Sequence, residues 1–147
     1  MESLGAALGI DLGGTAIKAG IVDGKGNILV AGVVPTLPDT GWENVVGRIV
    51  RLARELMDEA GMPVVRRVGI GIPGVVEPEE GRVVMAPNLG WKDVPVGKRL
   101  SEDFGCPVYM DNDAHLAALG EYWVGAGQGA RSLFLVTVGT GIGSAVI

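Results

Sequence analysis

The sequence predicts an α/β domain, a mixed sheet with helices on both faces. Three observations carry this. The first forty residues read as consecutive strands, "AALGIDL", "AIKAGIVD" and "NILVAGVV", separated by "GGT" and "GKG". One long amphipathic helix follows them. After it, short strand-like runs alternate with helical ones, as crossover connections in a partly parallel sheet require.

Taken in order, the first three strands form an antiparallel meander, with residues 23–27, "DGKGN", composed as a hairpin turn. Thr40 and Glu43 have capping-box spacing at the start of the helix. Val46, Ile49, Val50, Ala53, Leu56, Met57 and Ala60 recur at helical spacing, and Arg48, Arg51, Arg54, Glu55 and Glu59 lie mostly off that stripe. Gly61 and Pro63 supply the stop. "RRVGIGIP" (66–73) is a β-rich run, and "EPEEG" leads as a turn into "RVVMAP", one further short strand. A short helix is expected to begin at Pro95, a buried strand at "PVYMD" (107–111), and a helix over 114–123. "SLFLVTV", "GTG" and "IGSAVI" close the chain as strand, turn and strand.

Composition bounds the function. A chain of 147 residues suits one domain and can bury a core without disulfide or metal staples. Net charge −5 argues against a nucleic-acid footprint or a polybasic membrane surface. Cys106 is the single cysteine, which rules out an intrachain disulfide and a multi-cysteine metal site. His115 has no histidine or cysteine partner and, two residues after Asp113, faces away from it on a helix. With no apolar run of spanning length and no signal pattern, a cytoplasmic location is expected. Glycine is the outlier: 25 of 147 residues, against a usual share of roughly 7%. Tight turns and backbone held close to a ligand are the uses that fit an otherwise apolar chain.

The end of the chain repeats its beginning. A shift of 126 positions sets "IDLGGTAIKAGI" (10–21) against "VTVGTGIGSAVI" (136–147). Either a second copy of the first unit begins here, or a terminal hairpin completes the first sheet. In the first case the final strands lack their sheet and present open apolar edges.

Four motifs carry chemistry. "DLGGT", Asp11 to Thr15, lies between two strands. Adjacent glycines admit phosphate oxygens to backbone N–H groups, and Asp11 at a strand end could orient Mg2+ through its water shell. A hairpin with a structural aspartate explains the same residues. "GTGIG", Gly139 to Gly143, superficially suggests a dinucleotide fingerprint, but a strand rather than a helix follows it; a second phosphate-facing hairpin is the better account. "DND", Asp111 to Asp113, sits where a strand meets a helix. Helix capping explains one Asx residue there. Asn112 could also bind a sugar hydroxyl, and Asp113, kept ionised by the helix dipole, could take the proton of an attacking hydroxyl. "GIPG", Gly71 to Gly74, and "APNLGW", Ala86 to Trp91, offer a strand-end glycine and the Asn88 amide, or ordinary loop chemistry.

The ordered set "GIDLGGT", "GIGIPG", "APNLGWKDVP", "DNDA…ALGE" and "VTVGTGIG" resembles the ROK family, especially its bacterial glucokinases, from about Leu8 to Ile147. The resemblance implies an actin-like ATPase fold, two related ribonuclease-H-like domains with ATP and sugar between them. It implies a five-stranded mixed sheet for residues 1–130, and for residues 131–147 the first hairpin of a truncated second domain. It makes Asp11, Gly13, Gly14 and Thr15 the first MgATP-binding turn and Gly139, Thr140, Gly141 and Gly143 the second. Asn112 becomes a sugar ligand, Asp113 the catalytic base, and Asn88 and Gly74 sugar-proximal. Glucose is the expected hexose, with mannose, fructose or an N-acetylhexosamine as alternatives and polyphosphate as an alternative donor. The family's structural zinc site, and a glutamate and histidine that contact the sugar, belong to a continuation expected beyond Ile147. The fragment alone is therefore expected to be inactive, as a non-catalytic or sugar-binding module. No metal ligands, no nucleic acid and no membrane are expected here, a DNA-binding repressor is disfavoured, and a homo-oligomer stays open.

Overall fold

A computed structural model describes residues 5–139 and 141–147. Strands β1 (Ala7–Leu12), β2 (Ala16–Val22) and β3 (Ile28–Pro35) form the expected antiparallel meander. The second turn is closed by Asp23, whose carboxylate accepts the N–H groups of Lys25 and Asn27 and the Asn27 side-chain amide. Helix α1 (Trp42–Glu59) then crosses over, so that β4 (Val68–Ile72) returns parallel to β1. Strand β8 (Val108–Asn112) adds parallel to β4, giving the five-strand order β3-β2-β1-β4-β8. The mixed sheet is as the alternation of patterns predicts.

Register assigns the faces. Ile10 aligns with Ala19 and Ile70, and Ala19 with Gly32. A Cβ on Gly32 would come within 2.9 Å of Leu52 on α1. This face therefore carries the core, in which Leu8, Leu12, Ile17, Ile21, Ile70 and Ile72 are buried under α1. The opposite face is covered by helix α3 (Asp113–Val124), which lies over Gly71. On that face Gly20, Gly9 and Gly69 align across three strands.

Three differences from expectation have local causes. The Thr40–Glu43 capping box does not form. Gly41 is the N-cap, with no side-chain cap; the Thr40 hydroxyl lies in the 3-10 turn Pro38–Thr40, donating to Leu37 O (2.6 Å) and accepting from Arg48 (3.0 Å). The region expected to hold one short strand holds three, β5 (Val75–Glu77), β6 (Arg82–Ala86) and β7 (Trp91–Val94), in a separate antiparallel sheet. They are three to five residues long and flanked by turn formers, too short for a clear period. Arg82 binds them together, donating to Glu77 on β5 (2.5 Å) and Asp93 on β7 (2.7 Å). Burial on α1 also extends to Val45 and Leu52, beyond the expected stripe.

Helix α2 (Val96–Phe104) begins after Pro95 as expected and ends at Gly105, whose φ of 65° is left-handed. Cys106 packs half-buried against the core, and burial pushes its thiol up. Strands β9 (Phe134–Val138) and β10 (Ile142–Val146) pair with each other in a two-stranded sheet and lie against α3. Among the described residues, no helix is long and apolar enough to cross a membrane.

Candidate functional site

Strands β1, β4 and β8 run parallel, and their carboxyl ends lie side by side. Open α/β sheets bind ligands beyond such ends. Here the end of β1 leads into the glycine turn, β4 into "PG", and β8 into the first turn of α3. Motifs far apart in sequence thus converge on one shelf.

Asp11, Gly71 and Asp111 stand in one row across the three strands, on the α3 face. Lys18 is the cross-strand partner of Asp11 on β2. The Asp11 carboxyl is held above its ordinary value: partial desolvation among its neighbours raises it, Lys18 lowers it, and the nearby charge of Asp113 raises it again. The side chain still reaches solvent, so screening leaves the shift only a small stability term. Asp113 stands close by: Asp11 pairs with Gly71, and a Cβ on Gly71 would lie 3.3 Å from Asp113 Cα.

The turn after Asp11 is tight. Gly13 N–H donates to Ala16 O (2.9 Å). Gly14 lies so close to the 3-10 turn Pro87–Leu89 that a Cβ would sit 3.2 Å from Asn88 O. This joins the phosphate-like turn to the exposed Asn88, two motifs that the sequence presents separately. The N–H groups of Gly14 and Thr15 donate to no backbone acceptor among the described residues.

The three Asx residues divide their work. Asn112 caps α3, its Oδ1 accepting Ala114 N–H (3.0 Å). Its Nδ2 donates to Gly74 O (3.1 Å), tying β8 to the strand-end loop after β4. Asp111 is engaged at both oxygens, Oδ1 with Asn112 N–H (2.7 Å) and Oδ2 with His115 Nδ1–H (2.5 Å). A carboxylate acceptor places a proton on Nδ1 of His115. Asp113 accepts Ala114 N–H at Oδ1 (2.8 Å), and its Oδ2 has no partner among the described residues. Of the two carboxylates in "DND", Asp113 alone keeps an oxygen available to a ligand.

Two expectations change. Gly74 does not leave a gap for a sugar. The space beside it is filled by β6: a Cβ there would collide with Met85 O and lie 2.9 Å from Ala86. What Gly74 offers is its carbonyl, which orients Asn112. His115 is engaged, since its Nδ1 holds Asp111. No helical spacing signals this pair, because Asp111 lies in β8 and His115 in α3, and the bond depends on how the chain turns between them.

Of the second turn, Gly139 and Gly141 lie between β9 and β10, Gly143 lies inside β10, and Thr140 falls outside the described residues. A Cβ on Gly143 would come within 3.3 Å of Ala114, next to Asp113. The last hairpin therefore rests on the first turn of α3. Trp91, on β7 just beyond Asn88, is core as expected; its Nε1–H is buried without a partner among the described residues. Two shallow hollows of about 350 and 470 Å3 lie along α1 and α2, sharing Arg54, Asp58 and Asp103. None of the residues above lines them. Convergence of polar groups marks the candidate site. Among the described residues there is no cluster of three metal-ligating side chains.

The ROK family model matches residues 7–147. A glucokinase from Streptomyces coelicolor is 40% identical over 144 residues, covering 98% of this chain and 44% of that protein. The crystal structure of a ROK family glucokinase from Streptomyces griseus in complex with glucose and AMPPNP superposes with a TM-score of 0.89 at 39% identity, covering 97% of this chain and 44% of that one. An inorganic polyphosphate/ATP-glucomannokinase from Arthrobacter sp. strain KM superposes at 0.86 with 37% identity, covering 97% and 58%. The chain spans less than half the length of the curated glucokinase it matches. The five ordered motifs, the mixed sheet that gathers them and the family match over nearly every residue agree: the chain belongs to the ROK family.

Proposed function

We propose that this chain is the N-terminal part of an ATP-dependent hexose kinase that transfers the γ-phosphoryl group of MgATP to the 6-hydroxyl of glucose. The observation that carries this reading is the free Oδ2 of Asp113 on the shelf shared with Asp11 and the unpaired N–H groups of the glycine turn. A phosphoryl acceptor site needs those parts: a base for the hydroxyl proton, amide donors for phosphate oxygens, and a carboxylate for the cation.

Asp113 accepts the proton of the sugar hydroxyl as its oxygen bonds to the γ-phosphorus and the bond to the departing ADP oxygen breaks. Asn112, fixed by Ala114 N–H and Gly74 O, and Asn88 orient the sugar. Gly13, Gly14 and Thr15 receive phosphate oxygens on backbone N–H groups. The exposed Asp11 fits Mg2+ held through its water shell, and the cation, when bound, neutralises charge on the transferring phosphoryl group. Gly139, Thr140, Gly141 and Gly143 form the second phosphate turn, at the start of a second domain that residues 131–147 open; residues 1–130 form the first. Zinc has no fitting ligand set among the described residues. The protein acts as a cytoplasmic enzyme.

Asp113→Ala in the full-length protein tests the base. Turnover of glucose should fall about 100- to 10,000-fold while calorimetric glucose binding survives. Near-normal turnover would remove Asp113 from the role. The glucomannokinase likeness favours a second reading, mannose as a further substrate or polyphosphate as donor. A panel of hexoses and both donors separates the two. The 147-residue chain alone should bind sugar weakly and turn over nothing.

A further inference from the structure

Thr36 follows the last residue of β3, and nothing in "VVPT" marks it as functional. Yet its side chain is 0% exposed, the one buried polar or charged residue among those described. Both of its donors point at the glycine turn. The hydroxyl donates to Gly13 O (2.6 Å), and the backbone N–H donates to Thr15 O (2.9 Å).

We propose that Thr36 is a positioning residue for the first glycine turn, setting the direction in which its N–H groups point. A trans peptide is planar, and its C=O and N–H point in opposite directions. The described residues contain no cis peptide. With the Gly13 carbonyl drawn onto Thr36, the Gly14 N–H of the same plane turns the opposite way. With the Thr15 carbonyl held by Thr36 N–H, the Ala16 N–H is set in the same manner. Gly14 N–H also has no backbone partner among the described residues, so this fixed donor is available to an anion.

The need for such a clamp follows from the turn itself. Adjacent glycines leave the Gly13–Gly14 plane free to rotate at little steric cost. A donor group that must be fixed before its ligand arrives requires an outside contact. Asn88 braces the turn at Gly14 by packing, and packing leaves the peptide plane free to rotate. The Thr36 hydroxyl bond, formed in a buried place where water cannot substitute, does set it.

The proposal rests on the reading of this turn as phosphate-binding only for its kinetic consequence, so two readouts are taken on the full-length protein with Thr36→Val and Thr36→Ser. Thr36→Val keeps the shape and loses the hydroxyl; Thr36→Ser keeps the hydroxyl. In Thr36→Val, exchange of the Gly13 N–H, the hydrogen-bonded amide of the turn, should quicken about tenfold while β3 exchanges as before. The KM for ATP should rise about tenfold with the KM for glucose within about twofold. Thr36→Ser should restore both. If Thr36→Val does not fold, Thr36→Ala takes its place. Unchanged exchange at the turn overturns the proposal, as does an equal rise in both KM values, which marks a general loss of packing. A wild-type protein that phosphorylates no hexose counts against the proposed function, and the exchange comparison then decides the clamp alone.

Discussion

The hairpin β1–β2 and the hairpin β9–β10 share a strand, a Gly/Thr turn and a strand, and Leu12 of the first corresponds to Val138 of the second. Leu12 is 0% exposed and Val138 is 80% exposed. The first pair lies within a five-stranded sheet under α1, whereas the second is a sheet of two resting on α3. The turns differ as well. Leu12 pairs with Ile17 across residues 13–16, and Val138 pairs with Ile142 across 139–141. A Cβ on Gly13 would meet Ala16 O at 2.9 Å, and one on Gly139 or Gly141 would meet nothing within 4 Å. Glycine in the first turn is required by its own protein surroundings. In the second, no contact among the described residues requires it. Strand pattern alone does not confer stability: two paired strands need a third layer to bury their apolar residues.

The largest test of this contrast is a matched pair of truncations. Leu12→Ala should lower the unfolding free energy by about 2–5 kcal/mol, and Val138→Ala should change it by less than about 0.5 kcal/mol, both read by urea titration. Similar losses would mean that the last hairpin is buried after all. Next comes the turn pair. Gly13→Ala forces a backbone shift and should cost about 1–3 kcal/mol, against no measurable change for Gly139→Ala. Smaller again is Val138→Glu. In the 147-residue chain it should be neutral in stability and raise solubility, because it breaks an exposed apolar strand. In the full-length protein, if residues 131–147 open a second domain, the same change should lower the melting temperature by several degrees. Equal behaviour in both proteins would overturn that domain assignment.

The smallest effect concerns pH. The Asp11 carboxyl is raised above its ordinary value, so the folded state binds that proton more tightly than the unfolded chain. Its contribution is fully present below the unfolded value and is lost as pH rises through the folded one. Asp11→Asn should therefore melt slightly higher than the wild type at neutral pH. The gain should vanish once the pH falls below the ordinary aspartate range. Thr137, the counterpart of Asp11 in the last hairpin, carries no charge, and Thr137→Asn should show no such pH dependence. A lower melting temperature for Asp11→Asn at neutral pH would reverse the sign assigned to Asp11.

Much of the fold was legible. The meander, α1, the strands β4 and β8 and the helix after "DND" follow from hydrophobic period and turn residues, which act over a few positions of chain. The small sheet β5-β6-β7 was not legible, because strands of three to five residues between Pro, Gly and Glu carry too short a pattern. At the site, Asp11, Asn112 and Asp113 stood out by residue type and position at strand ends. Thr36 and His115 did not. Thr36 follows a strand and a proline like many loop residues, and His115 lies in a helix with no second ligand nearby.

By itself the sequence determined the strands of the main sheet, the last hairpin and the helices, and that glycine turns and Asx residues sit at strand ends, since these depend on local spacing. Only the tertiary structure decided their roles. It turned Asn112 to Gly74, 38 residues away, and Thr36 to Gly13, 23 residues away. It engaged both oxygens of Asp111 and left one of Asp113 free. It filled the space at Gly74 and buried one hairpin while exposing the other. The physical reason is range. Backbone pattern is set by near neighbours, but a hydrogen-bond partner or a covering layer is supplied by whichever distant segment the sheet order brings alongside.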